Sequence, residues 1–297
     1  MIKKKMQTFK FKNQKSFGNN STVSQCRCGL FAPVQKVSNK SNLAAGKITI
    51  GELEISFDKV LTQIHQDIIL SLLSFFEKRG KKHEKNIIIA FSPTRILREM
   101  GVDEKNTAWL FDKIKEISDT NINLKIETPE RRLKISEKII IQIGTSEFKN
   151  IASPFRNCFA YVLFGEIYSK YFDFDVKMKI SDDTLKSLFK IKNGVVKALA
   201  KYVLTQSNSK NFSFNAPLEK ILFEIKAINE KTPGRTKRQL IKFIHDQKSF
   251  LKEKFGITVS EKNKNIVFYE PLTNVYFKNI EPASKNAGLD NLKLLEK

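Results

Sequence analysis

The chain has 297 residues and 41% of them are hydrophobic, which is enough for one large core or two ordinary ones. Lys and Arg number 53 against 31 Asp and Glu, and the formal net charge of +22 indicates a polyanionic partner. No run of 18 apolar residues occurs, and the Lys-rich start lacks the apolar stretch of a secretory signal. We therefore expect a cytoplasmic protein with no membrane partner, and nucleic acid as the polyanion.

Residues 1–46 are rich in Lys, Asn, Ser and Gln, and the first fifty positions hold ten basic residues and no acidic one. This composition predicts a basic, mobile arm. The arm is either a solvated tail or an extra source of phosphate contacts. Within it, the apolar patch at 30–33 either docks a partner or starts the first domain.

A first winged-helix domain is predicted at 47–150. Alternating apolar residues from Ile48 indicate a hairpin, and apolar residues at three- and four-residue spacing from Leu61 indicate a helix that stops near Gly80. Further predicted elements are a strand at 87–91, helices at 93–101 and 104–118, and strands at 121–127 and 138–143. Helix, strand, helix, helix and hairpin is the winged-helix order.

A second winged-helix domain is predicted at 151–275, followed by a tail at 276–297. It repeats the plan with a helix around 195–203, a strand at 211–215, a helix from Pro217 to Ile225, one long helix at 233–255 and a hairpin at 257–269. The junction of strand, proline and helix at Pro93 recurs at Pro217. The alternating aromatic segment 155–179 is expected to add strands to this second sheet. The predicted fold class is α+β, with two tandem winged helices and a basic arm.

The helix at 233–255 is the main candidate for DNA contact. Its apolar stripe is expected to comprise Leu240, Phe243, Ile244, Leu251 and Phe255, while the opposite face is cationic. Between 231 and 254 there are eight basic residues and two acidic ones, a one-sided excess that suits the major groove better than an ordinary solvated surface. The candidate residues on this helix are Arg235, Thr236, Lys237, Arg238, Gln239 and Lys242.

The first copy offers weaker candidates. Its helix at 104–118 has an outer face that is not basic, so we expect the first domain to make lesser DNA contacts or to form a self-association surface. Trp109 lies on or near that face, where it either forms an interface or DNA contact or simply packs at the edge of the core. The helix start contributes Lys105, Asn106 and Thr107. The candidate wing residues are Arg131, Arg132, Lys134, Lys262 and Lys264.

An enzymatic function is not indicated. The three histidines are far apart and form no His-x-His metal pair, and no GxxxxGK[ST] phosphate loop is present. Asp182 and Asp183 follow Ser181 in a pattern typical of a helix cap. Cys26, Cys28 and Cys158 lack paired zinc-ligand spacing, so we expect reduced thiols, with a redox or metal role as the alternative for the first two. We therefore expect no catalytic residue, metal or cofactor.

The order of elements resembles that of the iteron-binding plasmid replication initiators, in particular the TrfA-like broad-host-range group. The segments that carry the resemblance are 92–101, Ser-Pro-Thr-Arg-Ile-Leu-Arg-Glu-Met-Gly, and 235–240, Arg-Thr-Lys-Arg-Gln-Leu. It covers roughly residues 28–270, and Arg235, Lys237 and Arg238 match its basic recognition-helix positions. The non-basic first recognition helix and an insertion around 229–232 depart from the pattern.

This resemblance implies a monomer that binds direct repeats at an origin, with dimers inactive in replication. It also implies that the bound protein helps to melt an A·T-rich segment and recruits the host initiator and replicative helicase. A winged-helix transcriptional regulator or repressor shares the same recognition helices and is the main alternative. A structural or membrane-surface protein that acts through its basic arm is the third.

Overall fold

The computed structural model of the chain describes residues 20–22, 26, 30–34, 45–50, 53–76, 78–82, 85–127, 132–147, 158–174, 177–206, 214–260 and 265–270. The helices are α1 (Gln63–Ser74), α2 (Pro93–Glu99), α3 (Thr107–Ser118), α4 (Glu166–Phe174), α5 (Asp182–Lys190), α6 (Gly194–Leu204), α7 (Leu218–Glu224), α8 (Gly234–Asp246) and α9 (Lys248–Phe255). The strands are β1 (Asn20–Thr22), β2 (Lys47–Ile50), β3 (Leu53–Phe57), β4 (Lys78–Lys82), β5 (Asn86–Phe91), β6 (Asn121–Glu127), β7 (Arg132–Lys138), β8 (Ile140–Glu147), β9 (Cys158–Phe164), β10 (Lys177–Lys179), β11 (Phe214–Pro217), β12 (Ile257–Ser260) and β13 (Ile266–Tyr269). The expected α+β class is confirmed.

The first copy of the predicted plan consists of α1, β5, α2, α3 and the hairpin β8–β9. Its sheet has the order β4-β5-β9-β8. Of the three strands that belong to the copy, the last in the chain, β9, therefore lies between β5 and β8. Strand β9 lies beyond residue 150 and was expected to extend the second sheet. That expectation is wrong, because β9 pairs antiparallel with β5 and β8, for example Ile88 with Leu163 and Ile143 with Val162. The segment after it, 166–174, forms helix α4.

The second copy consists of α6, β11, α7, α8 and the hairpin β12–β13. Its sheet has the order β11-β13-β12, so the last strand again lies in the middle. Tyr269 of β13 pairs with Phe214 on one side and Ile257 on the other. The duplication of element order that the sequence predicts is therefore present, although the two copies differ in their additions.

The first copy carries an additional sheet with the order β2-β3-β6-β7. The predicted hairpin near Ile48 is its β2–β3 pair, and β6–β7 is an insertion between α3 and β8. Ile122 and Leu124 of β6 are buried, while β7 is an edge strand with alternately exposed side chains. The inserted hairpin thus occupies the place where the sequence predicted a wing.

Local side-chain bonds explain where several helices begin and end. The Ser92 hydroxyl accepts a bond from the Arg95 N–H at the start of α2, and Pro93 occupies the first turn, where its missing N–H costs nothing. Asn193 caps α6 by accepting from the N–H groups of Val195 and Val196. Ser181 caps α5, as predicted, by accepting from the Thr184 N–H.

The packed structure begins before residue 47. Leu30 and Phe31 are buried in the core, although they belong to the range predicted as the arm. The Ala32 N–H donates to the carbonyl of Leu61, and the Gln63 N–H donates to the carbonyl of Val34, so residues 30–34 run along the start of α1. The other side of the segment packs closely against α6. A Cβ atom added to Gly194 would lie only 2.5 Å from the Cα atom of Val34.

The two copies share one continuous hydrophobic core, and their first helices meet inside it. Helices α1 and α6 are buried on nearly all sides. Polar residues at their contact form a group that we call the junction cluster, which consists of Asp67, Gln63 and Gln66 of α1 with Lys197 and Lys201 of α6. The Lys201 ammonium donates to Gln63, Gln66 and Asp67 at 3.1, 2.9 and 2.8 Å, and Lys197 pairs with the other Asp67 oxygen.

Candidate nucleic-acid interface

Helix α8 presents a cationic face to solvent. Ile244 is its only fully buried residue, and most of its first nine residues are exposed. The predicted contact residues Arg235, Arg238, Gln239 and Lys242 are exposed and recur at three- and four-residue spacing, which places them on one face. Thr236 is exposed beside them, and Lys237 is half-buried. The structure therefore brings this predicted group together.

The cations of this face differ in their partners. The Lys237 Nζ atom lies 2.6 Å from an oxygen of Glu219 at the start of α7. Arg238 donates from Nε to the carbonyl of Gly234 at 3.4 Å, within its own helix. Within the described residues, Arg235, Arg238 and Lys242 form no ion pair with a carboxylate. These three charges are available to a polyanion.

The prediction of one helix from 233 to 255 is wrong. The chain leaves the helix at Gln247, whose N–H donates to the carbonyl of Ile244 three residues earlier, and α9 starts anew at Lys248. This break lets α9 bury Leu251 and Phe255 beside β12 while α8 stays at the surface. Gly256 ends α9 in the left-handed conformation, with a φ of 70°.

The predicted apolar stripe is wrong at one position. Ile244, Leu251 and Phe255 are buried and Leu240 is half-buried, but the side chain of Phe243 is 39% exposed. Ile244 occupies the core position at this turn, so its neighbour Phe243 points away from the core. Periodicity alone did not distinguish these two adjacent apolar residues.

The second hairpin lies close to α8. His245 near the end of α8 and Asn265 directly before β13 are joined by a hydrogen bond of 2.9 Å between Nε2 and Oδ1. This bond joins the C-terminal end of α8 to the residue directly before β13. The predicted wing residues Lys262 and Lys264 lie outside the described residues.

The corresponding region of the first copy is less cationic, as expected. Lys105 and Asn106 are exposed at the start of α3, and Thr107 is half-buried. Lys113 pairs with Glu116 on the same helix, which offsets part of its positive charge. Trp109 packs half-buried against the core, which supports the edge-packing alternative.

Two predicted wing residues occupy a different element. Arg132 and Lys134 are exposed on β7, the edge strand of the additional sheet, and not on the β8–β9 hairpin. The prediction of their place is wrong because seven residues of β7 pair with β6 and extend that sheet away from the first copy's own hairpin. Arg132 also lies 3.5 Å from Glu127 on β6. Arg131 lies outside the described residues.

A buried histidine holds α3 against α1. The His65 Nδ1 atom accepts from the N–H of Thr62 at 3.0 Å, so its Nε2 atom carries the proton and donates to Glu116 at 2.8 Å. Burial lowers the pKa of His65, and the hydrogen bond to Glu116 only partly opposes this effect. The neutral imidazole therefore links the two helices of the first copy.

The described residues give two further observations. They contain no group of three or more His, Cys, Asp or Glu side chains arranged to hold a metal ion. No helix among them is long and apolar enough to cross a lipid bilayer. Of the cysteines, Cys26 is buried and accepts a hydrogen bond from Gln66 of the junction cluster, with 3.8 Å between Sγ and Nε2, and Cys28 lies outside the described residues.

The fold is similar to that of solved structures of RctB. A selenomethionine derivative of RctB domains 2 and 3 matches with a TM-score of 0.53 at 12% identity, over 84% of this chain and 96% of that chain. A second structure of RctB domains 2–3 has a TM-score of 0.49 at 12% identity, over 83% of this chain and 94% of that chain. No protein-family model matches the chain. No curated protein matches it either.

Proposed function

We propose that the chain is a sequence-specific double-stranded DNA-binding replication initiator. The observation that carries this proposal is the exposed face of α8, where Arg235, Arg238 and Lys242 form no ion pair with described carboxylates. RctB, a replication initiator of a Vibrio chromosome, supports the proposal because its domains 2 and 3 have a similar fold. We further propose that the function is binding and not catalysis.

In this proposal α8 lies in the major groove. Arg235 and Arg238 present the planar donors that bind guanine through two hydrogen bonds, and Gln239 presents the amide that pairs with adenine in the same way. Lys242 neutralises phosphate, so its contribution falls as salt concentration rises. The hairpin beside α8 adds backbone contacts.

The junction cluster supports binding by both copies together. Asp67, Lys197 and Lys201 are buried between α1 and α6, which are the first helices of the two copies. Breaking such a buried pair is costly, so the copies keep a fixed relative position. A fixed spacing between two recognition helices lets one molecule contact successive grooves on one side of the duplex.

The finer proposal follows the resemblance to the TrfA-like initiators. The chain binds direct repeats at an origin in the cytoplasm, promotes opening of the duplex, and recruits the host initiator and replicative helicase. Self-association through the first domain is part of this proposal. A winged-helix transcriptional regulator would use the same α8 face without an origin.

Two experiments test the proposal in sequence. Selection from a pool of random duplexes by the full chain should enrich one sequence, which should recur as direct repeats in the DNA beside the gene. A circular DNA that carries only the gene and these repeats should then replicate. Enrichment without replication would support the transcriptional regulator, and a chain that binds all duplexes equally at one salt concentration would contradict both.

A further inference from the structure

An aromatic side chain stands within the cationic face of α8. Phe243 is 39% exposed. It follows Gln239 by four residues and Thr236 by seven, and this spacing places the three side chains in one row along the helix. Lys242 is its neighbour in the chain. The row therefore combines hydrogen-bonding groups with one large apolar surface.

The fold does not require Phe243 for its core. Ile244 is fully buried at the same turn, and Leu240 and Ile241 pack half-buried against the core. Within the described residues, Phe243 is not among the half-buried hydrophobic side chains that pack there. An exposed phenylalanine ring on a charged helix contacts water at a cost, which a bound partner can remove.

The charges around Phe243 favour DNA as that partner. The face carries Arg235, Arg238 and Lys242, which suit a polyanion and oppose the docking of a second copy of this basic chain. The edges of the four base pairs in the major groove expose one apolar group, the C5 methyl of thymine, and phenylalanine is among the side chains that contact it.

We propose that Phe243 contacts the methyl group of a thymine in the major groove, and that this contact makes the chain require thymine at one position of its binding site. This inference rests on the proposed function, because it assumes that α8 lies in the groove. Arginine and glutamine recognise guanine and adenine through hydrogen bonds. Phe243 adds recognition of a third base by its methyl group alone.

The exposed Phe223 of α7 does not share this setting. Phe223 is 52% exposed near the end of α7, where Glu219 and Glu224 are exposed on the same short helix. These two carboxylates outnumber the single ammonium group of Lys220, so the local charge disfavours contact with a phosphate backbone. Phe223 therefore serves as a matched control for the loss of an exposed phenylalanine from the second copy.

The test removes only the methyl group from the DNA. The full chain first selects a duplex from a random pool, and each thymine of that duplex is then replaced by deoxyuridine, one position at a time. We expect one position at which uracil weakens wild-type binding about fourfold, the effect of one buried methyl-sized group. Substitution at the other thymines should change affinity by less than about 1.5-fold.

Variants then assign the effect to the side chain. In Phe243→Ala the ratio between the thymine and uracil duplexes should fall to about 1, and Phe223→Ala should keep the wild-type ratio. Phe243→Gln serves as a second variant that retains helix propensity, and its ratio should also fall to about 1. Thermal unfolding of each variant should show that the fold is intact, because the ring is exposed.

The possible failures are distinguishable. A selected duplex in which no thymine is sensitive to uracil overturns the role of Phe243 and leaves the proposed function standing. An undiminished uracil effect in both Phe243→Ala and Phe243→Gln does the same. The absence of any enriched sequence overturns the proposed function, and the role of Phe243 with it.

Discussion

Asp67 of α1 and Lys201 of α6 form a fully buried ion pair, with 2.8 Å between Oδ1 and Nζ. The two residues are 134 positions apart in the chain and belong to the first helices of the two copies. Lys197 pairs with the other oxygen of the same carboxylate, so one negative charge serves two ammonium groups. Burial lowers the pKa of Lys201, and Asp67 opposes that shift. The carboxylate is therefore central to the contact between the copies.

Asp67→Asn should strongly destabilise the protein. The variant leaves two buried ammonium groups without a counter-charge, and the loss of one partner from a buried pair costs about 3–5 kcal/mol. Urea unfolding followed by circular dichroism measures the difference. The exposed pair of Arg98 and Glu104 provides the control, since Glu104→Gln should cost less than about 1 kcal/mol. Equal losses in the two variants would show that the junction cluster does not stabilise the contact.

Gly194→Ala should destabilise the packing of residues 30–34 against α6. A Cβ atom at this position would lie 2.5 Å from the Cα atom of Val34, so either the segment or α6 must move. Overpacking of this kind costs about 1–3 kcal/mol. Gly234→Ala is the matched control at the start of another helix, because nothing lies within 4 Å of its added Cβ. The melting temperature of Gly194→Ala should be lower than that of the wild type, and that of Gly234→Ala should be equal to it or slightly higher.

The protein should lose stability as the pH falls below the ordinary pKa of histidine, about 6.5. Burial lowers the pKa of His65 in the folded chain, so the unfolded chain takes up a proton first and is favoured as the medium becomes acidic. Glu116 has a lowered pKa, and its contribution is present above the ordinary carboxyl pKa and lost only at lower pH. The two effects therefore fall in different pH ranges.

His65→Gln isolates this effect, because glutamine preserves the capping position without titrating. Its free energy of unfolding, measured by urea at several pH values, should decline less than that of the wild type between about pH 6.5 and 5. Parallel declines for the two proteins would show that His65 is not the titrating group.

Glu219→Gln should strengthen binding to DNA of any sequence. The carboxylate lies 2.6 Å from the Lys237 ammonium, and its neutralisation frees that charge for phosphate. Affinity for a random-sequence duplex should rise, and the slope of log affinity against log salt should steepen by about one. Glu224→Gln, at the opposite end of α7, is the control for removing a negative charge. A slope that Glu219→Gln leaves unchanged would place Lys237 away from the DNA backbone.

The local elements could be predicted from the sequence because their signals are local. The strand at 121–127 has the predicted bounds, Ser92 and Pro93 begin α2, and the cationic face of α8 follows from spacing alone. Non-local features could not be predicted in this way. The pairing of β9 with β5 joins residues about 70 positions apart. The alternation of residue types within β9 carries no information about its partner strand.

Two structural features that were not predicted nevertheless had a signal in the sequence. Leu133 and Ile135 alternate with polar residues in β7, which is the period of a strand, but the nearby proline and charges favoured a connector. Lys197 and Lys201 lie in α6, whose other residues are almost all apolar. A charge in such a helix indicates a buried partner, whereas single-helix reasoning assigns it to the surface. The end of α1 at Ser74, well before Gly80, is a further miss, since Gly80 belongs to β4.

The central claim is that α8 recognises base sequence, and the most direct measurement compares two duplexes at one salt concentration. Fluorescence anisotropy gives the affinities of the wild type, Arg238→Ala and the control Lys254→Ala, an exposed lysine of α9, for the selected duplex and for its scrambled version. We predict that the wild type prefers the selected duplex by about 10³-fold or more. Arg238→Ala should lose about 1–3 kcal/mol of that preference, and Lys254→Ala should lose almost none. Equal affinity of the wild type for both duplexes, or an Arg238→Ala protein that keeps the full preference, would contradict the claim.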